Sequence, residues 1–230
     1  MQKAIRICAL IAVFGLILFA IITSTVKPVE IEGNIWTEAM TLGDASTATR
    51  HYIVYTDLMC PYCNYYAKVI ADNDEAFQAY LAEHHILYEV RMTDMLYESS
   101  GVELSLPAGE AAYCAAREGK FWEFYHLALS SLFTDYYARG IGSSKTAPKI
   151  TDLDDSYWLA MGEQLDLGES FASCFSNHDT YAELRDNTYR AATTASGLPY
   201  FVFGKYATGG FDSDWGWTEV QTMLNAGLRG

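Results

Sequence analysis

The sequence predicts an α/β fold that is interrupted by an inserted all-helical domain and preceded by one N-terminal transmembrane helix. Residues 50–92 show the patterns of a strand, a helix and a second strand, and such a unit forms a right-handed parallel pair. Residues 107–196 are almost entirely helical in periodicity, and the chain ends with two short strands and a helix. A helical block of that size between two sheet-forming segments indicates an inserted domain.

The N-terminal segment is predicted to anchor the chain in a membrane. Residues 1–6 contain Lys3 and Arg6, and residues 7–26 form an uncharged, mostly apolar run. Twenty helical residues span about 30 Å, the thickness of the hydrocarbon core. Positive charge before the run predicts a cytoplasmic N-terminus and an extracytoplasmic domain from residue 27 onward. A cleaved signal sequence is the alternative, and it would export the same residues.

The exported part of the chain is acidic. All 29 Asp and Glu follow the apolar run, and the formal net charge of the chain is −14. This charge argues against nucleic-acid binding and against adhesion to anionic lipid, and it is typical of a solvated, soluble surface. Five cysteines are too few for a disulfide scaffold in 230 residues, so each is interpreted by its position.

The sheet-forming domain is predicted to consist of residues 27–106 and 197–230. In its first part, residues 31–35 fit a short edge strand and residues 42–46 a turn. Its main elements are two strands rich in β-branched and aromatic residues, a helix between them, a terminal hairpin and a final helix. These are predicted at residues 50–56, 61–81, 86–92, 200–203, 206–208 and 217–228.

The inserted domain is predicted to span residues 107–196. Its helices are separated by a glycine at position 119 and by a loop over residues 140–149. They are predicted at residues 107–117, 121–133, 151–165, 169–175 and 179–195.

The motif Cys60-Pro61-Tyr62-Cys63 is the predicted reactive site of the protein. It lies between a predicted strand and a predicted helix, with Cys60 near the N-cap and Pro61 at the first helical position, where proline is tolerated. Unpaired backbone N–H groups and the helix dipole favour a thiolate at Cys60, and the thiolate is the reactive form. Cys60 is therefore the predicted exposed nucleophile, and Cys63, one turn deeper, is the predicted resolving cysteine.

The layout and four motifs resemble the DsbA-like thiol–disulfide oxidoreductases, which have a thioredoxin fold interrupted by a helical domain. The resemblance covers the chain from about Leu42 to Leu224. The motifs are Leu42-Gly43-Asp44-Ala45, the stretch from Thr56 to Cys63, Ala111-Ala112-Tyr113-Cys114-Ala115 with Gly119-Lys120-Phe121-Trp122-Glu123, and the stretch from Gly197 to Gly204.

The resemblance implies a protein disulfide oxidoreductase that acts as a dithiol oxidase. Its substrates would be unfolded exported proteins, and a membrane redox partner would restore its disulfide. It would need no cofactor beyond the Cys60–Cys63 disulfide. The alternatives are a reductase or isomerase of the same fold, a redox-silent binding domain, and a thiol metal-binding module. No metal is predicted, because zinc usually needs two further Cys or His at comparable spacing.

The resemblance also implies roles for residues around the motif. Pro199 would be a cis proline facing the cysteines, although an ordinary trans proline opening an edge strand is the interpretation from the residue alone. Pro61 and Tyr62 would tune the redox pair. Strongly oxidising relatives often have His in place of Tyr62, so a less extreme potential is expected here. Leu198 stands where relatives more often have a β-branched residue, and we expect it to alter substrate preference.

Three further positions are interpreted with open alternatives. Val54 occupies the place where relatives often hold a buried acid, and Asp57 would substitute for it in part or serve as a helix cap or solvated turn residue. Cys114 and Cys174 are implied to form a structural disulfide, and the alternative is two buried free thiols. Cys8 lies in the predicted membrane segment as a small apolar residue.

Overall fold

A mixed five-stranded sheet organises the computed structural model, which describes residues 40–100 and 102–229. The strands lie in the order β1-β3-β2-β4-β5. Their bounds are β1 Thr41–Leu42, β2 Arg50–Thr56, β3 Ile86–Met92, β4 Tyr200–Phe203 and β5 Tyr206–Gly209. The predicted membrane segment, the predicted edge strand at 31–35 and Cys8 lie outside the described residues.

The centre of the sheet is the parallel pair β2–β3, aligned from Arg50 beside Ile86 to Thr56 beside Met92. Strand β4 pairs with the other edge of β2 in the antiparallel sense and continues into β5. The predicted bounds of β2, β3 and β4 are confirmed, because period-2 runs of β-branched and aromatic residues are strong strand signals. The two-residue strand β1, which pairs antiparallel with β3, was not predicted.

Six helices lie between β3 and β4 in the sequence, among the described residues. The helices of the whole described chain are α1 Pro61–Asp72, α2 Asp74–Glu83, α3 Met95–Ser100, α4 Ser105–Arg117, α5 Phe121–Asp135, α6 Asp155–Gln164, α7 Glu169–Ser176, α8 Tyr181–Thr194 and α9 Trp217–Leu228, with a 3₁₀ turn at Tyr137–Arg139. Helix α3 was not predicted. Helix α4 begins two residues earlier than predicted.

The single helix predicted over residues 61–81 is wrong, because the chain breaks at Asn73 into α1 and α2. The Asn73 backbone leaves helical geometry, with φ −127° and ψ 28°. Its side-chain amide donates a 2.8 Å hydrogen bond to the carbonyl of Val69. Short amide side chains that bond to nearby backbone groups compete with helix continuation, which explains the break.

The core lies against one face of the sheet, where Tyr52, Val54, Phe201 and Phe203 are buried. Helix α9 packs close to this face: a Cβ added at Gly227 would lie 2.6 Å from the Phe203 Cβ and from the Tyr52 hydroxyl oxygen. That hydroxyl donates a 3.0 Å hydrogen bond to the carbonyl of Leu224. Glycine at position 227 therefore allows the close approach of helix and sheet.

Helix α4 is the central element of the helical block, and almost all of its length is buried. Its small residues Ala108, Ala111, Ala112 and Ala115 are fully covered by neighbouring helices. Gly109 meets Leu184 of α8 so closely that a Cβ would lie 2.7 Å from Leu184 Cδ1. Among the described residues no helix is both long enough and apolar enough to cross a bilayer.

Candidate active site

Cys60 occupies the N-cap of α1, as predicted. Its backbone is extended, with φ −89° and ψ 116°, and its carbonyl accepts a 3.1 Å hydrogen bond from the N–H of Asn64. Pro61 follows at the start of the helix, and the Cys60 side chain makes no capping hydrogen bond. The thiol therefore lies at the helix N-terminus, beside its unpaired amides, without being used as a cap.

Both cysteines of the motif are free thiols in the structure, and both are buried. Cys60 keeps 4% of its surface exposed and Cys63 keeps 0%. The prediction that Cys60 lies openly exposed is therefore wrong, although it is the more accessible of the two. Its cover includes Leu198, whose carbonyl oxygen lies 3.9 Å from the Cys60 Sγ.

Burial raises the pKa of the Cys63 thiol well above its usual value. The neighbouring Cys60 adds to this rise, while the hydroxyl of Thr56 and the backbone of Asp57 oppose it. Cys63 is therefore held mainly as a thiol inside the protein.

The Leu198–Pro199 peptide bond is cis, which confirms the conformation predicted for Pro199. The Pro199 carbonyl accepts a 2.8 Å hydrogen bond from the N–H of Gly210, which ties the turn to the end of β5. Because β4 pairs with β2, the turn that opens β4 lies beside the end of β2, where the motif begins. The sheet thus brings the residue before Pro199, Leu198, to Cys60.

Asp57 is fully buried, so the interpretation as a solvated turn residue is wrong. Its carboxylate accepts hydrogen bonds from the N–H of Met59 at 2.9 Å, from the N–H of Leu96 at 3.0 Å and from the hydroxyl of Ser105. It serves the first turn of α3 through Leu96 and makes no capping bond to α1. Burial raises the pKa of Asp57 to about 6, against the opposing effect of these hydrogen bonds.

The aromatic residues of α1 divide between surface and core. Tyr62 is 41% exposed beside Cys60, and its ring centroid lies 6.3 Å from that of Tyr65. Tyr66 is buried against Phe201, with ring centroids 4.9 Å apart. Tyr62 is thus the exposed aromatic side chain of the motif, and Phe201 belongs to the core.

Val54 is buried in the core, as an apolar residue at that position should be. The polar groups near Cys63 come instead from Thr56 and from two tyrosines of the helical block. Burial raises the pKa of the Tyr125 hydroxyl, and the Thr56 side chain opposes this rise. The Tyr137 hydroxyl donates to the carbonyl of Leu58 at 3.5 Å. These two tyrosines were not predicted, because only the folded chain brings α5 and the 3₁₀ turn that follows it to the motif.

A second buried group, which was not predicted, lies on β3. Glu89 and Arg91 form an ion pair with 2.8 Å between Arg91 Nε and Glu89 Oε1, and both side chains are buried. The sequence does contain a pattern that indicates this pair. Two opposite charges stand two residues apart in an otherwise apolar strand, and residues at that spacing share one face of a sheet.

The Cys114–Cys174 disulfide is present and confirms that implied pairing. It joins α4 to α7 across 60 residues of sequence. Within the described ranges, no group of three or more His, Cys, Asp or Glu is placed to hold a metal ion.

Comparison with solved structures shows the same fold in several oxidoreductases. A thioredoxin-like oxidoreductase from Silicibacter pomeroyi DSS-3 matches with TM-score 0.56 and 17% identity, over 86% of this chain and 99% of that one. Wolbachia pipientis alpha-DsbA1 matches with TM-score 0.57 and 15% identity, over 81% and 89% of the two chains. Oxidised Mtb DsbA matches with TM-score 0.55 and 15% identity, over 82% and 92%.

At these identities the likeness establishes the fold. The comparison with curated proteins finds no match. A family model described as thioredoxin matches residues 37–198, which is well over half of the chain and includes the Cys60–Cys63 motif and the helical block. The chain therefore belongs to the thioredoxin family, and its fold is that of the DsbA-like members.

Proposed function

We propose that the chain is an extracytoplasmic thiol–disulfide oxidoreductase that donates the Cys60–Cys63 disulfide to exported proteins. The observation that carries this proposal is the arrangement of the two thiols at the start of α1. Cys60 stands at the N-cap beneath Leu198, and Cys63 lies one turn inside with no exposed surface.

The transfer proceeds in two exchanges. A substrate thiolate attacks the Cys60 sulfur of the oxidised pair, a substrate–Cys60 disulfide forms, and Cys63 leaves as a thiolate that takes up a proton. A second substrate thiolate then attacks the substrate sulfur of this mixed disulfide and expels Cys60 as a thiolate. The substrate is oxidised by two electrons, and the Cys60–Cys63 pair is reduced to the dithiol.

The burial of Cys63 lengthens the lifetime of the mixed disulfide at Cys60. Its raised pKa keeps it protonated, and a protonated thiol does not attack a mixed disulfide. The mixed disulfide is therefore released more slowly by Cys63, which leaves time for the second substrate thiol to react. A membrane redox partner would have to accept the two electrons and restore the Cys60–Cys63 disulfide.

The Cys114–Cys174 disulfide supports a place outside the cytoplasm, since structural disulfides persist in oxidising compartments. The uncharged apolar run at residues 7–26 supports the same location, with the chain anchored by one N-terminal span.

The deciding experiment measures the reduction potential of Cys60–Cys63 in the full chain by equilibration with glutathione, together with transfer of its disulfide to a reduced, unfolded test protein. We expect a potential well above the roughly −270 mV of thioredoxin and transfer that Cys60→Ser abolishes. A potential near that of thioredoxin, with reduction of disulfides in the test protein, would assign the chain as a reductase instead. No exchange in either direction would overturn the enzymatic proposal.

A further inference from the structure

Strand β3 carries a buried ion pair on the face of the sheet that α8 covers. Arg91 contacts Glu89 through two hydrogen bonds, Nε to Oε1 at 2.8 Å and Nη2 to Oε2 at 3.1 Å. The Nε2 of His51 lies 2.7 Å from Glu89 Oε2. Burying such charges carries a large desolvation cost, and an apolar pair of the same size often stabilises a fold as well or better. Stability alone therefore does not explain these charges.

The guanidinium of Arg91 also holds a tyrosine of the neighbouring strand. In the parallel register Arg91 lies directly beside Tyr55 of β2. Arg91 Nη1 donates a 3.2 Å hydrogen bond to the Tyr55 hydroxyl oxygen, and the guanidinium carbon lies 5.7 Å from the centre of that ring. The ion pair thus fixes both the hydroxyl and the ring of Tyr55.

Arg91, Tyr55, Tyr200 and Gly209 lie side by side across four strands, and this row of the sheet ends at the cis-proline turn. Tyr55 pairs with Tyr200 of β4, with ring centroids 6.3 Å apart, and Tyr200 pairs with Gly209 of β5. Leu198 packs against the buried cluster that these two tyrosines form with Ile53 and Ala191. A Cβ at Gly209 would lie 2.7 Å from the backbone of Gly197, so the end of the row touches the turn itself.

We propose that Arg91 is a positioning residue: held by Glu89, it supports Tyr55 and thereby keeps Leu198 and Pro199 against Cys60. The contact that it sets is the 3.9 Å approach of the Leu198 carbonyl oxygen to Cys60 Sγ. This inference deepens the proposed function and rests on it for its catalytic meaning. Loosening the row would let the turn move away from Cys60, which would uncover the sulfur and misplace the surface presented to a substrate.

The test uses the full chain in its reduced form and follows iodoacetamide alkylation of Cys60 by mass spectrometry. The variants are Tyr55→Phe, which removes one hydroxyl contact, and the double variant Glu89→Met with Arg91→Met, which removes both charges together. The matched control is Tyr52→Phe, on the same strand but the opposite face, where a buried tyrosine hydroxyl also makes one hydrogen bond, to Leu224. Circular dichroism verifies that each variant is folded.

We expect Cys60 alkylation to accelerate about fivefold in Tyr55→Phe and more in the double variant. The loss of one hydrogen bond, worth about 1 kcal/mol, raises the population of molecules with a locally opened turn by about this factor. Tyr52→Phe should stay within about twofold of the wild type, since its lost bond lies away from the turn. Unchanged alkylation in folded Tyr55→Phe, or an equal rise in Tyr52→Phe, would overturn the proposal.

Disulfide transfer to a dithiol peptide is measured in parallel. We expect it to slow in Tyr55→Phe and to be retained in Tyr52→Phe. If the wild type transfers no disulfide, the proposed function fails, while the alkylation rates still decide whether Arg91 and Tyr55 position the turn. If the wild type transfers disulfides and alkylation is the same in all variants, the positioning role fails and the proposed function stands.

Discussion

The Cys60 Sγ lies 3.9 Å from the carbonyl oxygen of Leu198, a residue 138 positions further along the chain. The contact joins the N-cap of a helix to the residue before a cis proline. The pairing of β2 with β4 brings these two residues together, and Cys60 is only 4% exposed. The reactivity of Cys60 and Cys63 is therefore set by the groups that surround the two sulfurs.

Replacing Tyr62 by histidine should make the Cys60–Cys63 pair more oxidising. A protonated imidazole at the exposed position 62 would stabilise a nearby thiolate, whereas a tyrosine hydroxyl carries no positive charge. One tenfold change in thiolate stability corresponds to about 30 mV, so we expect a rise of about that size for Tyr62→His. Equilibration with glutathione buffers measures it. Tyr62→Phe is the control and should leave the potential near that of the wild type.

Replacing Thr56 by valine should slow the reactions of Cys63. The Thr56 hydroxyl lowers the pKa of Cys63 against the effect of burial, so its loss should leave the thiolate rarer still. A hydrogen bond to a charged group contributes about 1.5–3 kcal/mol, and we expect resolution of a Cys60 mixed disulfide to slow by about tenfold or more. Stopped-flow fluorescence with a labelled peptide disulfide reports this step.

The matched control for that variant is Thr93→Val. The Thr93 hydroxyl is also buried and donates a 3.1 Å hydrogen bond to the carbonyl of Thr56. The Thr93→Val variant therefore loses a comparable hydrogen bond in the same part of the protein, but it loses no hydrogen bond to a sulfur. Equal slowing in both variants would count against a direct action of Thr56 on Cys63.

Asp57 should make the stability of the protein fall as pH rises. Its pKa is about 6 in the folded protein against 3.8 for an ordinary carboxyl, so the folded state binds more protons between these values. The contribution of Asp57 to stability is therefore fully present below about pH 4 and decreases up to about pH 6, by about 3 kcal/mol relative to a variant that cannot ionise at this position.

Urea unfolding of the wild type and of Asp57→Asn at pH 4, 5, 6 and 7 measures this difference. The variant loses some of the hydrogen bonds from Met59, Leu96 and Ser105, so its absolute stability is expected to be lower at pH 4. The difference in unfolding free energy between the wild type and Asp57→Asn should narrow as pH rises. Parallel curves for the two proteins would show that Asp57 does not titrate in this range.

Removing the second disulfide should destabilise the fold without affecting exchange at Cys60. The Cys114–Cys174 bridge closes a separation of 60 residues, for which the loss of chain entropy predicts a stabilisation of about 4 kcal/mol. We expect the double variant Cys114→Ala, Cys174→Ala to unfold at lower urea concentration with an unchanged rate of exchange at temperatures where it is folded. A matching loss of exchange would tie this bridge to the chemistry.

The sequence by itself determined the local features of this protein. The bounds of β2, β3 and α9 and the position of Cys60 at a helix N-cap follow from the alternation of apolar residues and from Pro61 at the first helical position. These properties depend on neighbours within one or two turns or one strand. They were therefore predictable before any fold was known.

Only the tertiary structure decided which residues surround the sulfurs. The burial of Asp57, the cover of Leu198 over Cys60 and the row from Arg91 through Tyr55 to Tyr200 all join segments distant in sequence. Asn73 shows the converse case, where one side-chain hydrogen bond outweighed a long helical periodicity. The contacts around the two sulfurs are set by strand order and packing, and a periodic pattern of residues does not predict them.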